Sequence, residues 1–311
     1  MEVENQTLSS HFVILGFDNL PKLHLIFFSV FLAIYLFALT GNLLISMVIC
    51  FDSRLHTPMY FFLTNLSMLD ICYTTVSAPK LLSIFLTGDK AISFRGCMTQ
   101  LYFFMSFGST EYLLLTIMAY DRYIAICKPL QYTVVMSKKL CINLALCAWT
   151  IGFLEAAPTT SLISRLHFCA SKRINHIFCD VTPLLTLSCS DTRVTEIVIY
   201  LEGISVGFTC LLLILVSYVY IISSILRISS QTGRSKAYSN CGAHLTAVIL
   251  YYGIAFFLYM RPTSSYSLDE GKILSVIYVA VIPMLNPIIY SLRNKDVKKA
   301  LQKVHKELCL R

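Results

Sequence analysis

Charged side chains are scarce in this chain. Only 14% of the 311 residues are Asp, Glu, Lys or Arg, whereas soluble domains carry about 25%. Hydrophobic residues make up 56%, and the mean hydropathy is +0.69. This composition excludes an ordinary soluble domain. Because apolar segments of about 20 residues recur along the chain, it predicts a protein whose body lies in a membrane.

Features of several other protein classes are also missing. Residues 1–24 are polar and lack the basic start and cleavage site of a removed signal peptide, so we expect the first apolar helix to act as the export signal. Internal repeats with interrupted helices, which are typical of transporters, are not found. An intramembrane hydrolase is disfavoured because the mid-membrane acids form only one plausible pair and His244 lies at the inner end of its helix.

Seven apolar segments are each long enough to cross a bilayer core of about 30 Å. They predict an all-α membrane protein, a seven-transmembrane helix bundle that forms a single domain over residues 1–311 and has a short amphipathic C-terminal helix. The polar segments predict an extracellular N-terminus at 1–24, a long extracellular loop at 164–193 and a cytoplasmic tail at 293–311. The predicted helices are 25–50, 58–82, 98–127, 140–163, 194–226, 237–260 and 272–292.

The net charge of +8 follows the same topology. Most Lys and Arg residues fall on the side assigned to the cytoplasm, which is the positive-inside pattern of membrane proteins. The basic charge therefore gives no indication of nucleic-acid binding. Asn5-Gln6-Thr7 matches the N-glycosylation pattern in the predicted extracellular tail, so we expect a sugar on Asn5.

The strongest sequence motif, MAYDRYIAIC, ends the third helix at residues 118–127. Further motifs are LHTPMY at 55–60, HIFCD at 176–180, LSCSDT at 187–192 and PMLNPIIYSLRN at 283–294. Together they resemble the vertebrate olfactory (odorant) receptors of the tetrapod-type class II, within the rhodopsin-like G-protein-coupled receptors. The motifs are spread over most of the chain, so the resemblance concerns the whole protein.

The resemblance implies a receptor and not an enzyme. We expect it to bind a small volatile molecule in an outer transmembrane pocket and to activate a stimulatory, olfactory-type heterotrimeric G protein, which raises cyclic AMP. The other expected partners are plasma-membrane lipid and trafficking chaperones. The alternative is a rhodopsin-like receptor for a non-odorant amine or peptide, which would share the Asp121-Arg122-Tyr123 and Asn286-Pro287 motifs but not the full set.

The ligand-binding residues are predicted partly from spacing on the third helix, where a three- and four-residue repeat serves either a ligand or helix packing. The resemblance adds positions on helices five, six and seven. The lining is mostly apolar, which suits a small volatile ligand. Glu202 is not part of the family pattern and would contact a strong donor such as an amine, or reach interfacial water. The predicted lining is Phe104, Met105, Gly108, Ser109, Tyr112, Glu202, Ser205, Val206, Ala255, Tyr259 and Val279.

Activation residues are implied by the same resemblance. Arg122 would pair with Asp121 at rest and turn toward two tyrosines when the G protein binds; the alternative is that it only reaches the inner membrane interface. Gly253 is the weak point of the sixth helix, either as a hinge or for close packing. The residues expected to act in activation and G-protein coupling are Asp121, Arg122, Tyr123, Tyr218, Tyr252, Gly253, Asn286, Pro287 and Tyr290.

Four cysteines fall on the predicted outer side, and four cysteines allow three pairings. The resemblance selects Cys97–Cys179 and Cys169–Cys189. It also places Asp70 and Glu111 at a sodium site with Asn42 and Asn286 nearby, since carboxylate and amide oxygens suit a hard cation. The alternative is a protonated carboxyl pair without a metal, because close carboxylates raise each other's pKa. No other cofactor is expected.

Overall fold

A computed structural model of the chain describes residues 11–17, 23–169, 172–259, 268–293 and 297–302, without the side chains of 236, 239, 240, 259, 268, 269 and 291–293. Asn5 and residues 303–311 of the predicted tail lie outside this description. Seven long helices form a bundle. They are α1 (His24–Phe51), α2 (Pro58–Thr87), α3 (Phe94–Cys127), α4 (Lys138–Ser164), α5 (Arg193–Leu226), α6 (Gln231–Tyr259) and α7 (Leu268–Val276, Ile277–Val281 and Ile282–Arg293).

All seven helices are longer than the predicted segments, and two of them extend well beyond a predicted boundary. α2 continues beyond residue 82 to Thr87, where Gly88, with a φ of 74°, provides the left-handed conformation that ends a helix. α6 begins at Gln231 and not at residue 237. The hydroxyl of Ser230 accepts a hydrogen bond from the backbone N–H of Gly233 at 3.3 Å, which is the geometry of a helix N-cap.

A small sheet covers one end of the bundle. The strand β1 (His11–Ile14) lies between β2 (Ala91–Ser93), to which it is antiparallel, and β3 (Arg173–Ile174), to which it is parallel. Phe12 and Ile14 point into the bundle and are buried. We call this the sheet end. The opposite end, where helical residues 297–302 bury Val297 and Ala300, is the tail end.

The long helices expose their apolar surfaces instead of burying them. In the described residues, all seven have a stretch that is long and apolar enough to cross a membrane. α1 and α5 have the highest mean hydropathy of these stretches, 2.1 and 2.3, yet only 28% of each is buried. Apolar helices that leave most of their surface uncovered are expected where lipid, and not water, surrounds the bundle.

α3 is the central helix of the bundle. It packs against α2, α4, α5 and α6, and its own start lies beside β1 and β2. Its N-cap is Ser93, whose hydroxyl accepts a hydrogen bond from the backbone N–H of Gly96 at 3.0 Å. Because α3 touches most of the other helices, side chains on its successive turns face every candidate site described below.

Candidate ligand and signalling sites

Aromatic rings fill the core of the bundle near the sheet end. Between ring centroids, Phe104 lies 4.7 Å from Phe178, and Tyr251 lies 5.0 Å from Tyr278 and 4.9 Å from Tyr112. These separations are typical of favourable aromatic pairs. We define the aromatic cluster as Tyr73, Phe104, Tyr112, Phe178, Tyr251 and Tyr278.

The cluster leaves little free space. A cavity of about 20 Å³ lies beside it, bordered by α1, α2, α7 and the long loop, with Phe178 and Val279 among its lining residues. This volume accommodates about one water molecule. A larger molecule fits in this cavity only if its lining side chains rotate or the helices move apart.

Within the described residues, two disulfides hold the long loop between α4 and α5. Cys97 at the start of α3 is bonded to Cys179, and Cys169 is bonded to Cys189. This is the pairing that the resemblance implied. The first bond connects the loop to the central helix and the second closes the loop on itself, so the loop is tied down beside the aromatic cluster.

Gln100 adds a polar clamp next to the first disulfide. Its Oε1 accepts a hydrogen bond from the backbone N–H of Cys179 at 2.9 Å, and its Nε2 donates to the carbonyl oxygen of Val76 at 2.8 Å. α2, α3 and the loop are thereby joined through one side chain. The adjacent Phe178 is held with its ring against Phe104, on the loop side of the cluster.

His176 connects the same loop to α7. Its Nδ1 lies 3.2 Å from the carbonyl oxygen of Phe178, and its Nε2 lies 3.1 Å from Oγ of Ser275. Because a carbonyl oxygen can only accept, Nδ1 carries the proton of the neutral ring and Nε2 accepts from the Ser275 hydroxyl. Burial lowers the pKa of His176 to about 4, so the ring is neutral near pH 7.

Asp180, two residues beyond Phe178, is also buried in this loop. Its Oδ1 accepts a hydrogen bond from the backbone N–H of Val181 at 2.7 Å, at the start of the short helix Val181–Leu187. Burial raises the pKa of Asp180 to about 6, and this hydrogen bond opposes the rise. The carboxylate therefore caps the N-terminus of the short helix and fixes the path of the chain after Cys179.

Two hydrogen bonds join α6 to α3 at positions two helical turns apart. The hydroxyl of Tyr251 donates to the carbonyl oxygen of Gly108 at 2.9 Å, and Nε2 of His244 lies 3.0 Å from the carbonyl oxygen of Leu115. His244 therefore donates through Nε2, and its Nδ1 accepts from the Tyr218 hydroxyl at 2.7 Å. Side chains of α6 thus connect that helix to α3 at Gly108 and at Leu115. At the second position, Tyr218 of α5 is connected as well, through His244.

The predicted ligand residues lie in two different environments. Phe104 and Tyr112 belong to the aromatic cluster. The carbonyl oxygen of Gly108 accepts the hydrogen bond from Tyr251 of that cluster, and Ala255 is buried in the same core. The side chain of Tyr259 falls outside the part of the chain that the structure describes. The remaining predicted positions on α3 and α5 that the structure describes, Met105, Ser109 and Val206, are half-buried.

Ser205 departs from the prediction. Its side chain is exposed, and its hydroxyl donates to the carbonyl oxygen of Glu202 at 3.1 Å. The reason is the π-helical segment Gly203–Phe208, in which each residue advances by a smaller angle than in an α-helix. Ser205, which the resemblance placed in the lining, is therefore turned away from the core at this point.

Glu202 faces α4. Its Oε2 accepts a hydrogen bond from the hydroxyl of Thr159 at 2.7 Å, and its buried Oε1 has no hydrogen-bond partner among the described residues. Glu155 on α4 lies within electrostatic range of Glu202 and close to Ser109 of α3. Two carboxylates therefore lie between α3, α4 and α5, at the side of the aromatic cluster.

The predicted sodium residues form a polar site at mid-bundle. Nδ2 of Asn286 donates to both oxygens of Asp70, at 3.2 and 2.9 Å, and Nδ2 of Asn42 donates to the carbonyl oxygen of Pro283 at 3.0 Å. Glu111 is buried within electrostatic range of Asp70. Among the described residues, the Oδ1 atoms of Asn42 and Asn286 are buried without a hydrogen-bond partner. The described residues contain no group of three or more His, Cys, Asp or Glu arranged for a metal.

The acid–base pair near the tail end differs from the predicted resting arrangement. Oδ1 of Asp121 accepts a hydrogen bond from the hydroxyl of Tyr132 at 2.9 Å, and its Oδ2 has no partner in the described structure. The buried Nε of Arg122 also lacks a hydrogen bond there, and no ion pair joins the two residues. Adjacent residues on a helix do not face each other, which explains the separation. Arg122 instead lies within electrostatic range of Tyr218 and Tyr290.

Sequence reasoning missed several of these contacts. It selected Tyr252 on α6, but the hydroxyl that reaches α3 belongs to Tyr251. His176, His244 and Tyr132 also received no role. The seven-residue interval between His244 and Tyr251 was the available signal, because it places two polar side chains on one face of a helix.

Comparison with known proteins identifies the family. Residues 31–308 match the family model for olfactory receptors. Human olfactory receptor 6Y1 is 50% identical over 303 residues, which cover 97% of this chain and 93% of that protein. The chain belongs to the olfactory receptor family. Mouse olfactory receptor 5AR1 is also 50% identical, over 98% of both chains, and human olfactory receptor 5A2 is 50% identical over 96% of this chain and 92% of its own length.

Membership settles the general interpretation of the bundle. This olfactory receptor is a multi-pass plasma-membrane protein and a G-protein-coupled receptor, not an enzyme. Membership in this family implies small odorant ligands and coupling to a G protein. The family match favours an odorant receptor over the alternative, a receptor for a non-odorant amine or peptide.

Proposed function

We propose that this olfactory receptor binds a small, largely apolar volatile molecule at the aromatic cluster. Binding then activates a stimulatory, olfactory-type heterotrimeric G protein and raises cyclic AMP. The observation that carries the proposal is the buried aromatic cluster. Its member Phe178 belongs to the loop that the disulfide Cys97–Cys179 fixes to α3. Rings with a few hydroxyls and almost no charge suit an apolar ligand that is positioned by one or two hydrogen bonds.

The proposal places the sheet end outside the cell and the tail end in the cytoplasm. Two disulfides lie at the sheet end, and disulfides persist in an oxidising compartment. Asn5, the predicted glycosylation site, precedes the first strand and would lie on the same side. The basic tail would then meet the cytoplasmic leaflet, in agreement with the positive-inside rule.

The α3–α6 contacts provide the route from ligand to G protein. Phe104 and Tyr251 both pack against Tyr278, with ring centroids 6.4 and 5.0 Å from it, so a molecule that binds among these rings would displace Tyr251. Displacing Tyr251 breaks its hydrogen bond to Gly108 and leaves α6 held through His244. Gly253 lies two residues beyond Tyr251, and a Cβ there would meet nothing within 4 Å. Close packing therefore does not require this glycine, which remains our proposed bending point.

At the cytoplasmic end, we place Arg122 in the activation step. Movement of α6 would carry His244 away from Leu115 and release Tyr218. The guanidinium of Arg122 could then bond to the hydroxyl of Tyr218 or of Tyr290, both of which lie within its electrostatic range at rest. This would open a space for the G protein beside Tyr123, while Asn286 and Pro287 would connect the movement of α7 to the polar mid-bundle site.

Sodium binding in the polar mid-bundle site is part of the proposal. The donor set fits a hard cation, because Asp70, Glu111 and the unpartnered Oδ1 atoms of Asn42 and Asn286 are all oxygen ligands. A bound ion would supply positive charge between two buried carboxyl groups and stabilise the resting bundle. Sodium should raise the melting temperature of the purified receptor more than potassium does, and Asp70→Asn should remove the difference. Equal effects of both ions on the unchanged receptor would contradict the site.

The direct test of function is cyclic AMP in cells that express the receptor together with the olfactory-type G protein. A panel of volatiles that includes amines and acids should contain an agonist, and Arg122→Ala should abolish its response at equal surface expression. An amine agonist whose potency falls with Glu202→Gln would assign that carboxylate to the ligand. A response restricted to non-volatile amines or peptides would favour the alternative receptor class.

Removal of one hydroxyl tests the α3–α6 connection. Tyr251→Phe keeps the ring but deletes the hydrogen bond to Gly108, which contributes about 1 kcal/mol. We expect basal cyclic AMP to rise about five-fold, since the resting state loses that stabilisation. The matched control is Tyr252→Phe, because the Tyr252 hydroxyl has no hydrogen-bond partner among the described residues. Equal basal activity in the two variants would show that this bond does not stabilise the resting state.

A further inference from the structure

A polar cavity of about 260 Å³ opens at the tail end of the bundle. Its walls are Asp52, Arg54, Leu55 and Lys299. The first three belong to the turn between α1 and α2, and Lys299 belongs to the helical residues 297–302. None of the ligand or G-protein residues discussed above lines it, so it is separate from both sites.

Arg54 is oriented by an ion pair, and Lys299 projects from a helix that is anchored by buried residues. Arg54 donates from Nε to Oδ1 of Asp52 at 2.9 Å and from Nη2 to Oδ2 at 2.6 Å. Its guanidinium is thereby oriented, although the side chain is 65% exposed. Lys299 lies on a helix whose Val297 and Ala300 are buried, so its backbone cannot move freely. Preorganised cations bind an anion without first losing conformational entropy.

Lipid-facing side chains lead to the cavity. Leu44, Met47 and Phe51 are exposed, and their spacing of three and four residues places them on one face of α1. Phe51 immediately precedes Asp52 in the cavity wall and is 81% exposed. An apolar strip that ends at a basic cavity matches a phospholipid, with acyl chains along the helix and an anionic headgroup at its end.

We propose that the cavity binds the headgroup of an anionic phospholipid of the cytoplasmic leaflet. Its phosphate would lie between Arg54 and Lys299, and its acyl chains would follow α1. The inference rests on the orientation proposed above, which puts the tail end in the cytoplasm. It does not depend on the odorant or on the G protein. Bound lipid would join the α1–α2 turn to the C-terminal helix and stabilise that end of the bundle.

Two neighbouring lysines give a matched test. Lys298 and Lys299 carry the same charge on the same short helix, but only Lys299 lines the cavity. We would measure binding of fluorescent phosphatidylinositol bisphosphate to purified full-length receptor in phosphatidylcholine nanodiscs. Lys299→Ala should weaken binding about five-fold, the effect of one basic residue near an anionic surface. Lys298→Ala should change it by less than about two-fold, because Lys298 is exposed, does not line the cavity and is screened by solvent.

Each other outcome would overturn the proposal. Equal losses in the two variants would show diffuse attraction between a basic tail and an anionic surface. Soluble inositol trisphosphate that competed as well as the long-chain lipid would show a site for a free anion and no role for the α1 strip. Unchanged binding in Lys299→Ala, with unchanged melting temperature, would remove the cavity as a site. Because binding is measured without odorant or G protein, failure here is distinct from failure of the proposed signalling function.

Discussion

Replacement of both Cys97 and Cys179 by serine is expected to abolish surface expression of this receptor. The disulfide spans 82 residues of sequence, and a crosslink over that length destabilises the unfolded chain by about 4.5 kcal/mol in the chain-entropy description. Total stabilities of folded domains are about 5–15 kcal/mol, so the loss is a large share. It also releases Phe178 from its position over the aromatic cluster.

The second disulfide and a free cysteine provide controls for this experiment. Cys169–Cys189 spans only 20 residues and is expected to contribute about 3 kcal/mol. Cys147 is free and exposed, so Cys147→Ser should leave expression unchanged. Cell-surface labelling and thermal melting of the purified protein would be compared across the three variants. Normal expression of the Cys97/Cys179 double variant would contradict the assigned role of the loop.

A methyl group at residue 152 is expected to have the next largest effect. α4 lies close against α3 at Gly152, where an added Cβ would lie 2.8 Å from the carbonyl oxygen of Ser106 and 3.0 Å from the backbone nitrogen of Thr110. Both are backbone atoms of a helix and cannot rotate away. Gly152→Ala should therefore force the two helices apart and lower stability by about 3 kcal/mol, the upper part of the usual range for overpacking.

The same change at Gly203 is the control, because a Cβ there would meet nothing within 4 Å. Gly203→Ala should be neutral or slightly stabilising, since alanine favours helical backbone. The measurement is the melting temperature of each purified variant in the same lipid or detergent, together with surface expression. If both variants had the same melting temperature, the close approach of α3 and α4 would not determine stability.

Part of the signalling geometry follows from sequence spacing and part does not. The three- and four-residue repeat on α3 correctly placed Phe104, Gly108 and Tyr112 on one face, and all three contact or belong to the aromatic cluster. The resemblance added Ser205, whose side chain is exposed in a π-helical segment with a different angular period. It also implied that Asp121 pairs with Arg122 at rest, whereas Asp121 bonds to Tyr132 in the connection between α3 and α4.

The sequence by itself predicted a chain that crosses a membrane seven times, and its motifs carried the resemblance to the olfactory receptors, which in turn implied the cysteine pairs. These conclusions depend on segment length, composition and motif wording, which are local properties. Only the tertiary structure decided that Tyr251 bonds to Gly108, that His244 joins α6 to α3 and α5, and that Arg54 and Lys299 share a cavity. The physical reason is the solvent. A helix in lipid is apolar on its core side and on its outer side, so hydrophobic periodicity does not show which residues face the neighbouring helix.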